Sequence, residues 1–184
     1  MSEIILVTGG NRSGKSSFAE QLLEGSDDVL YIATAVRTDA EMEERIRHHR
    51  KRRNRRWSTH EGFRDLDEAL ALFDGSHVLL DCVTNMISNL IFYHPGNPEG
   101  MDQAEKDRLL AAIKGEFTRL LKKVRETDLT LVLVSNEVGM GLISEYELGR
   151  LFVDFTGFIN QYLAREADRV YFMVSGLPVT LKGE

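Results

Sequence analysis

The hydrophobic positions of the chain fall into five short runs, separated by longer stretches in which apolar residues recur every three or four positions. The runs cover residues 4–7 (IILV), 29–33 (VLYIA), 77–80 (HVLL), 129–134 (LTLVLV) and 170–174 (VYFMV). Short, nearly continuous apolar runs predict strands that are buried on both faces. The stretches between and after them predict helices over residues 16–23, 41–53, 63–72, 102–125 and 145–167.

The order of these elements predicts the fold class. Strands that alternate with helices indicate a mainly parallel sheet with helices on both faces, because each parallel connection is a helical crossover. Residues 179–181 (VTL) follow Gly176 and Pro178 with no room for a helix, so they predict an antiparallel edge strand. We therefore predict one three-layer α/β domain over residues 1–184, with ligands bound beyond the carboxyl ends of the strands.

The first predicted strand leads directly into GGNRSGKS at residues 9–16, and a helix pattern follows. This stretch matches G-x-x-x-x-G-K-[ST], in which backbone N–H groups surround the phosphates of a nucleotide. We expect Lys15 to reach the outer phosphates and the Ser16 hydroxyl to help hold Mg²⁺. The candidate nucleotide-binding residues of this loop are Gly9, Gly10, Asn11, Arg12, Ser13, Gly14, Lys15 and Ser16.

Polar residues also follow other predicted strands and should face the same crevice. Asp81 follows the third run where a metal-binding acid is expected, although an aspartate there could instead cap the next helix. Thr34 and Ala35 follow the second run, and residues 135–139 (SNEVG) follow the fourth. Glu137 keeps two interpretations: it orients a hydroxyl or a metal-bound water, or it stabilises its own loop.

Charge singles out one further stretch. The net charge of the 184 residues is −6, yet residues 45–56 (RIRHHRKRRNRR) hold eight of the 23 Lys and Arg and no acid. The rest of the chain carries 15 Lys and Arg against 29 Asp and Glu, a net charge of −14. Positive charge concentrated in this way in an acidic protein indicates an anionic ligand.

Helical spacing within residues 41–53 builds a face from Glu41, Arg45, His49 and Arg53. Three interpretations stay open: a solvated basic face, a surface for nucleic acid, and a site of phosphate chemistry. In the last, neighbouring cations keep the imidazole of His49 neutral, because a second positive charge disfavours its protonated form. The neutral ring could then attack phosphorus while guanidinium groups stabilise the transition state.

Compartment follows from two simple features. Cys82 is the single cysteine, which excludes an internal disulfide and fits a reducing cytoplasm. The first ten residues lack the basic flank and long apolar stretch of a signal peptide, and polar residues interrupt the most apolar window, 78–93. We expect a cytoplasmic protein that does not insert into membranes.

Taken together, the motifs resemble the bifunctional adenosylcobinamide kinase and adenosylcobinamide-phosphate guanylyltransferase family of cobalamin biosynthesis. The matching stretches are ILVTGGNRSGKS, YIATA, DAEMEERIRHHRKRR followed by WSTHE, LLDCVTNMISNL, VSNEVGMG and GRLFVDFTGFINQYLAREADRVYFMVSG. The resemblance covers nearly the whole chain. It implies a RecA-like P-loop fold and a homotrimer in which a neighbouring subunit supplies part of the active site.

The resemblance also implies a reaction sequence. Adenosylcobinamide is first phosphorylated with ATP or GTP, and GMP from GTP is then carried on a histidine to adenosylcobinamide phosphate, giving adenosyl-GDP-cobinamide. Spacing from the RI pair places the nucleophile at His49. Besides the phosphate loop, the implied nucleotide contacts are Thr34, Ala35, Val36, Arg50, Lys51, Arg52, Arg53, Glu61 and Asp81. Ser16 and Asp81 are the expected Mg²⁺ ligands, and nucleic acid is not an expected partner.

Overall fold

The structure of the chain, a computed structural model, describes residues 1–36, 54 and 56–183. The predicted helix over residues 41–53 lies outside the described residues. The same is true of the candidate nucleophile His49 and of Arg50, Lys51, Arg52 and Arg53.

Within the described residues, seven strands form a single sheet. They are β1 (Glu3–Gly9), β2 (Val29–Ala33), β3 (Ser58–Glu61), β4 (His77–Asp81), β5 (Thr130–Val134), β6 (Arg169–Val174) and β7 (Leu177–Lys182). Their order across the sheet is β3-β2-β4-β5-β1-β6-β7, and every neighbouring pair is parallel except β6 with β7. The predicted mainly parallel sheet with an antiparallel edge strand is confirmed.

Helices cover both faces of this sheet. The described helices are α1 (Lys15–Leu22), α2 (Leu66–Ala71), α3 (Val83–Phe92), α4 (Gln103–Glu126) and α5 (Glu147–Glu166). Helix α1 packs on one face, against β1, β4 and β5, while the other four helices pack on the opposite face. The three-layer α/β architecture is therefore confirmed.

Alternation along the strands builds two separate cores. In β1, Ile4 and Leu6 face the core under α2 to α5, whereas Ile5 and Val7 face the core under α1. Successive side chains of a strand point to opposite faces, so a strand covered on both sides is apolar at every position. All four of these side chains are at most 2% exposed.

The sequence analysis does not predict β3 or α3. Strand β3 is STHE, a polar edge strand with mostly exposed residues, so it lacks an apolar run. Helix α3 follows β4 after one residue, and the two merge into the apolar window over residues 78–93. None of the helices in the described part of the chain is long and apolar enough to cross a membrane.

Candidate nucleotide-binding site

The carboxyl ends of the parallel strands bring the predicted site residues to one edge of the sheet. Strand register places Ala33 between Glu61 of β3 and Asp81 of β4. Asp81 pairs with Val134 of β5, which in turn pairs with Val7 of β1. Since neighbouring strands lie about 4.8 Å apart, this row spans the edge from β3 to the start of the phosphate loop.

The phosphate loop keeps its shape through two glycines in positive-φ conformations. Gly9 has φ 147°, and a Cβ there would lie 2.6 Å from the carbonyl oxygen of Met173. Gly14 has φ 96°, and its Cβ would lie 3.2 Å from the Cα of Gly176. The Gly176 N–H donates to the carbonyl oxygen of Ser13 at 3.0 Å, so the β6–β7 turn supports the loop.

Two buried side chains of this loop fit a phosphate ligand. Lys15 is 6% exposed, and its ammonium donates to the carbonyl oxygen of Gly10 at 2.6 Å. Burial lowers the pKa of Lys15, against the opposing influence of Cys82 and of the Asp81 carboxylate. The Ser13 hydroxyl is buried and has no hydrogen-bond partner among the described residues. The first N–H groups of α1 add further donors, because a helix leaves them without internal partners.

Asp81 lies on the face of the sheet that α1 covers. Tyr31 and Leu79 of that face are registered with each other, and Asp81 lies two residues beyond Leu79. The Tyr31 hydroxyl donates to Oδ2 of Asp81 at 3.0 Å. Helix α3 begins after an N-cap at Cys82, with no side-chain cap hydrogen bond, so Asp81 is not the N-cap residue.

Behind Asp81, buried polar groups join the ends of β2, β4 and β5. The Thr34 hydroxyl donates to the Cys82 carbonyl oxygen at 2.7 Å and accepts from the Cys82 N–H at 2.8 Å. The Cys82 sulfur lies 3.0 Å from the Thr84 hydroxyl, which accepts from the Asn136 amide at 2.6 Å. Asn89 donates to the Thr34 carbonyl oxygen at 2.7 Å. Burial, followed by the Asp81 charge, raises the pKa of the Cys82 thiol to about 11, so it is protonated at neutral pH.

Glu137 contacts its own loop, as expected if it stabilises the segment after β5. Its Oε1 accepts from the Gly139 N–H at 2.7 Å, and its own N–H donates to the Gly9 carbonyl oxygen at 2.9 Å. The residue therefore ties the loop after β5 to the phosphate loop. Its predicted role toward a hydroxyl or a water stays a prediction.

The described site residues meet at this edge in different environments. Thr34 is 1% exposed, and its hydroxyl is directed to Cys82, so its side chain does not face a bound nucleotide. Ala35 and Val36 are half-buried, Glu61 is exposed, and Asn11 and Arg12 lie exposed at the tip of the loop. Sequence reasoning missed Tyr31, whose only signal was a phenol in an otherwise aliphatic strand.

The donors at the site fit a magnesium ion shared with phosphates. Ser16 and Asp81 supply a hydroxyl and a carboxylate, the hard oxygen ligands that Mg²⁺ prefers. No group of three or more His, Cys, Asp or Glu that could hold a metal occurs among residues 1–36, 54 and 56–183. A site of this kind binds Mg²⁺ through one or two side chains, with substrate phosphates and water completing the shell.

The family of the chain follows from a comparison of its sequence with known proteins. A family model described as cobinamide kinase / cobinamide phosphate guanyltransferase matches residues 5–181. The chain belongs to this family. The match spans the phosphate loop, the strand-end residues and the basic stretch, so the predicted enzyme class, a cobinamide kinase and cobinamide-phosphate guanylyltransferase, is confirmed.

Curated members of the family are similar over nearly their full length. Two bifunctional adenosylcobalamin biosynthesis proteins named CobU, from Escherichia coli K12 and Salmonella typhimurium LT2, are 43% and 44% identical. Each alignment covers 97% of this chain and 99% of the relative. The protein named CobP from Pseudomonas aeruginosa PAO1 is 39% identical, with 97% of both chains covered.

Among solved structures, this chain is similar to the P4 protein from bacteriophage phi6 in complex with ADP. The TM-score is 0.43 at 16% identity, covering 97% of this chain and 54% of the phage chain. In this chain, strand β5 lies between β1, which precedes the phosphate loop, and β4, which ends at Asp81. The mainly parallel sheet, with the phosphate loop directly after β1, agrees with the P-loop fold that the family resemblance implies.

Proposed function

We propose that the enzyme phosphorylates adenosylcobinamide with ATP or GTP and then transfers GMP from GTP to adenosylcobinamide phosphate through a covalent guanylyl-histidine at His49. The product is adenosyl-GDP-cobinamide, an intermediate in assembly of the cobalamin nucleotide loop. The main support is that the buried Lys15 of the phosphate loop, whose pKa burial lowers, has the Asp81 carboxylate near enough to oppose that shift, at the carboxyl edge of the sheet. A cation for phosphates and a carboxylate for Mg²⁺ are thereby close together.

In the kinase step, the aminopropanol hydroxyl of adenosylcobinamide attacks the γ-phosphorus, loses its proton, and displaces ADP or GDP. The loop N–H groups, the buried Ser13 hydroxyl and the Lys15 ammonium would bind phosphate oxygens and stabilise their charge. The Ser16 hydroxyl and the Asp81 carboxylate would hold Mg²⁺, which neutralises negative charge on the phosphates. The backbone of Thr34, Ala35 and Val36 and the Glu61 side chain are proposed as further nucleotide contacts.

In the transfer step, a neutral ring nitrogen of His49 attacks the α-phosphorus of GTP. A phosphorus–nitrogen bond forms, the bond to the bridging oxygen breaks, and pyrophosphate leaves. A phosphate oxygen of adenosylcobinamide phosphate then attacks the same phosphorus and releases the imidazole. The cations of Arg50, Lys51, Arg52 and Arg53 are proposed to stabilise charge on the transferred group.

Covalent labelling tests the transfer step directly. Incubation of the wild-type enzyme with α-labelled GTP should leave label on the protein that is lost in acid and kept in base, because a phosphoramidate is acid-labile. His49→Ala should take no label and lose guanylyl transfer, yet keep phosphorylation of adenosylcobinamide. His48→Ala, the neighbouring imidazole, is the matched control and should label like wild type.

Three outcomes would reject this function as proposed. If the wild-type enzyme phosphorylates adenosylcobinamide but takes no label and transfers no GMP, the chain is a kinase in which His49 at most positions a substrate. If hydrolysis of ATP depends on added DNA or RNA, with binding that weakens steeply as salt rises, the basic stretch serves nucleic acid instead. Equal labelling of His49→Ala and wild type would place the nucleophile elsewhere.

The assembly and location of the enzyme are also proposals. We propose a cytoplasmic homotrimer with both activities on the one domain that spans residues 1–184. Support for self-association comes from the loop after β5, where Met140, Leu142, Ile143 and Tyr146 are each at least 78% exposed. Apolar side chains grouped in this way mark surfaces that bind another protein or a ligand.

A further inference from the structure

Two buried hydroxyl groups hold the segment that carries Asp81. The Tyr31 hydroxyl donates to Oδ2 of the Asp81 carboxylate at 3.0 Å. The Thr34 hydroxyl makes two hydrogen bonds to the backbone of Cys82, the next residue, at 2.7 and 2.8 Å. One contact orients the carboxylate and the other fixes the main chain beside it.

Both hydroxyls are themselves fixed by their surroundings. Tyr31 is 2% exposed and packs in the core under α1, so its ring has little freedom to turn. Thr34 is 1% exposed, and its carbonyl oxygen accepts a hydrogen bond from Asn89 of α3 at 2.7 Å. The Asp81 carboxylate therefore keeps one orientation, because its rotation would break a part-buried hydrogen bond to a ring that cannot follow it.

Strand geometry explains why these two residues reach Asp81. Tyr31 pairs with Leu79, and Leu79 and Asp81 point to the same face of the sheet because they are two residues apart. The Tyr31 side chain is long enough to extend past Leu79 and reach the Asp81 carboxylate, two residues further along β4. Thr34 comes directly after β2, and its N–H donates to the Asp81 carbonyl oxygen at 3.4 Å, which continues the β2–β4 pairing.

We propose that Tyr31 and Thr34 are positioning residues that hold the Asp81 carboxylate in the orientation in which it binds the divalent cation of the nucleotide. This inference rests on the proposed metal role of Asp81. Neither residue would touch the metal or the reacting atoms through its side chain. Groups that orient a metal-binding carboxylate contribute to metal affinity, and their loss typically weakens it by about 10- to 100-fold.

Direct metal binding tests the proposal without reliance on turnover. The protein is mixed with a non-hydrolysable GTP analogue, and Mn²⁺ is titrated in while free and bound ions are followed by electron paramagnetic resonance. Tyr31→Phe and Thr34→Val should each raise the Mn²⁺ dissociation constant by about tenfold or more. Thr34→Ser, which keeps the hydroxyl, should bind Mn²⁺ like wild type.

Matched substitutions elsewhere control for the chemical change itself. Tyr93→Phe removes a phenol hydroxyl from a side chain that is 55% exposed at the end of α3. Thr180→Val removes a hydroxyl from an exposed position of β7, at the opposite end of the sheet from β2 and β3. Both should leave the Mn²⁺ dissociation constant unchanged.

Asp81→Asn separates this inference from the function on which it rests. If Asp81→Asn binds Mn²⁺ as tightly as wild type, Asp81 is not a ligand, and both the metal role and the positioning role are rejected. If Asp81→Asn weakens Mn²⁺ binding while Tyr31→Phe does not, the metal role stands and the positioning role is overturned. Circular dichroism shows whether Thr34→Val has folded. If it has not, the Mn²⁺ dissociation constant of Tyr31→Phe alone decides between the two outcomes.

Discussion

The Lys15 ammonium donates to the carbonyl oxygen of Gly10, 2.6 Å away, and this bond lies inside the loop that is proposed to hold phosphate. A buried ammonium needs several partners, because it carries three donors and loses its water on burial. Phosphate oxygens would supply such partners. The position of Lys15 within the protein therefore favours an anion in the loop.

Replacement of Lys15 by Met should remove catalysis without preventing folding. We expect the kinase and the guanylyl transfer activities to fall by about 10²–10³-fold, the loss typical when one group that stabilises transition-state charge is removed. Steady-state rates at saturating nucleotide are the measurement. Lys122→Met, at a position of α4 whose side chain is 75% exposed, is the control. A Lys15→Met enzyme with rates near wild type would show that the loop does not act through this cation.

The same substitution should raise stability, in a manner that depends on pH. Burial holds the pKa of Lys15 below its ordinary value of 10.5, so burying the charge costs free energy at neutral pH. At pH values between the lowered pKa of Lys15 in the folded protein and its ordinary pKa in the unfolded chain, the unfolded chain binds more protons. The free energy of unfolding of the wild type therefore rises with pH over this range. Lys15→Met should therefore be more stable at pH 7 by about 0.5–2 kcal/mol. The advantage should shrink toward pH 10.5.

Denaturant unfolding at several pH values, without nucleotide, measures this difference. Lys122→Met should show no comparable pH-dependent gain, because its ammonium is exposed in both states. A Lys15→Met protein that is less stable than wild type at pH 7 would contradict the prediction. It would mean that the bond to Gly10 outweighs the cost of burying the charge.

Gly9→Ala should destabilise the protein, whereas Gly10→Ala should not. A Cβ at residue 9 would lie 2.6 Å from the Met173 carbonyl oxygen at φ 147°, while one at residue 10 meets nothing within 4 Å. The backbone strain alone should cost about 1–3 kcal/mol in Gly9→Ala. Thermal unfolding of the two variants without nucleotide is the test. Equal midpoints would show that the strand can shift away from Met173.

The sequence could predict this loop because local rules determine it. Gly9, Gly14 and Lys15 lie within seven residues, and both the conformation and the chemistry depend on that spacing. The strands were predictable for a similar reason, since a strand buried on both faces is apolar at every position. Asp81 was found because it directly follows such a strand.

The supporting contacts could not be predicted, because they join residues far apart in the chain. Tyr31 reaches Asp81 only once β2 and β4 are paired in register, and that register depends on the whole sheet. The family resemblance implied Thr34 as a nucleotide contact, but its hydroxyl is directed to Cys82, which only the paired strands reveal. Strand β3 escaped prediction because an exposed edge strand needs no apolar side chains.

Loss of the Asp168 charge should destabilise the fold in a pH-dependent way. Its carboxylate binds both terminal nitrogens of Arg125, at 2.8 and 3.0 Å, and accepts from the Ile4 N–H at 2.7 Å. Burial raises the pKa of Asp168, but the hydrogen bonds outweigh it and hold the pKa below 3.8. Stability from this group is therefore present above pH 3.8 and is lost as pH falls through the folded pKa.

Asp168→Asn should lower the free energy of unfolding at pH 7 by about 1–2 kcal/mol. This loss is smaller than the loss expected for a fully buried charged pair, because water screens these half-exposed groups. The difference from wild type should diminish below pH 3.8. Glu126→Gln breaks an exposed ion pair with Lys122 at 3.8 Å and should change stability by less than about 0.5 kcal/mol. Equal effects of the two substitutions would show that the Arg125 geometry adds nothing.

Leu142→Glu should disrupt the proposed trimer. Leu142 is 100% exposed and Ile143 is 86% exposed, in a loop that Glu137 ties to Gly9 of the phosphate loop. A charge placed in an apolar subunit contact must be buried without a partner, which costs far more than the contact gains. Light scattering after size-exclusion chromatography should give about three times the chain mass for wild type and a lower mass for Leu142→Glu.

Leu72→Glu is the matched control, because Leu72 is 90% exposed but follows α2, far along the chain from this loop. It should keep the wild-type mass. If a neighbouring subunit completes the active site, Leu142→Glu should also lose guanylyl transfer in proportion to the trimer that dissociates. Wild-type protein that is monomeric at all concentrations would reject the trimer. A Leu142→Glu protein that stays trimeric would show that the subunits meet elsewhere.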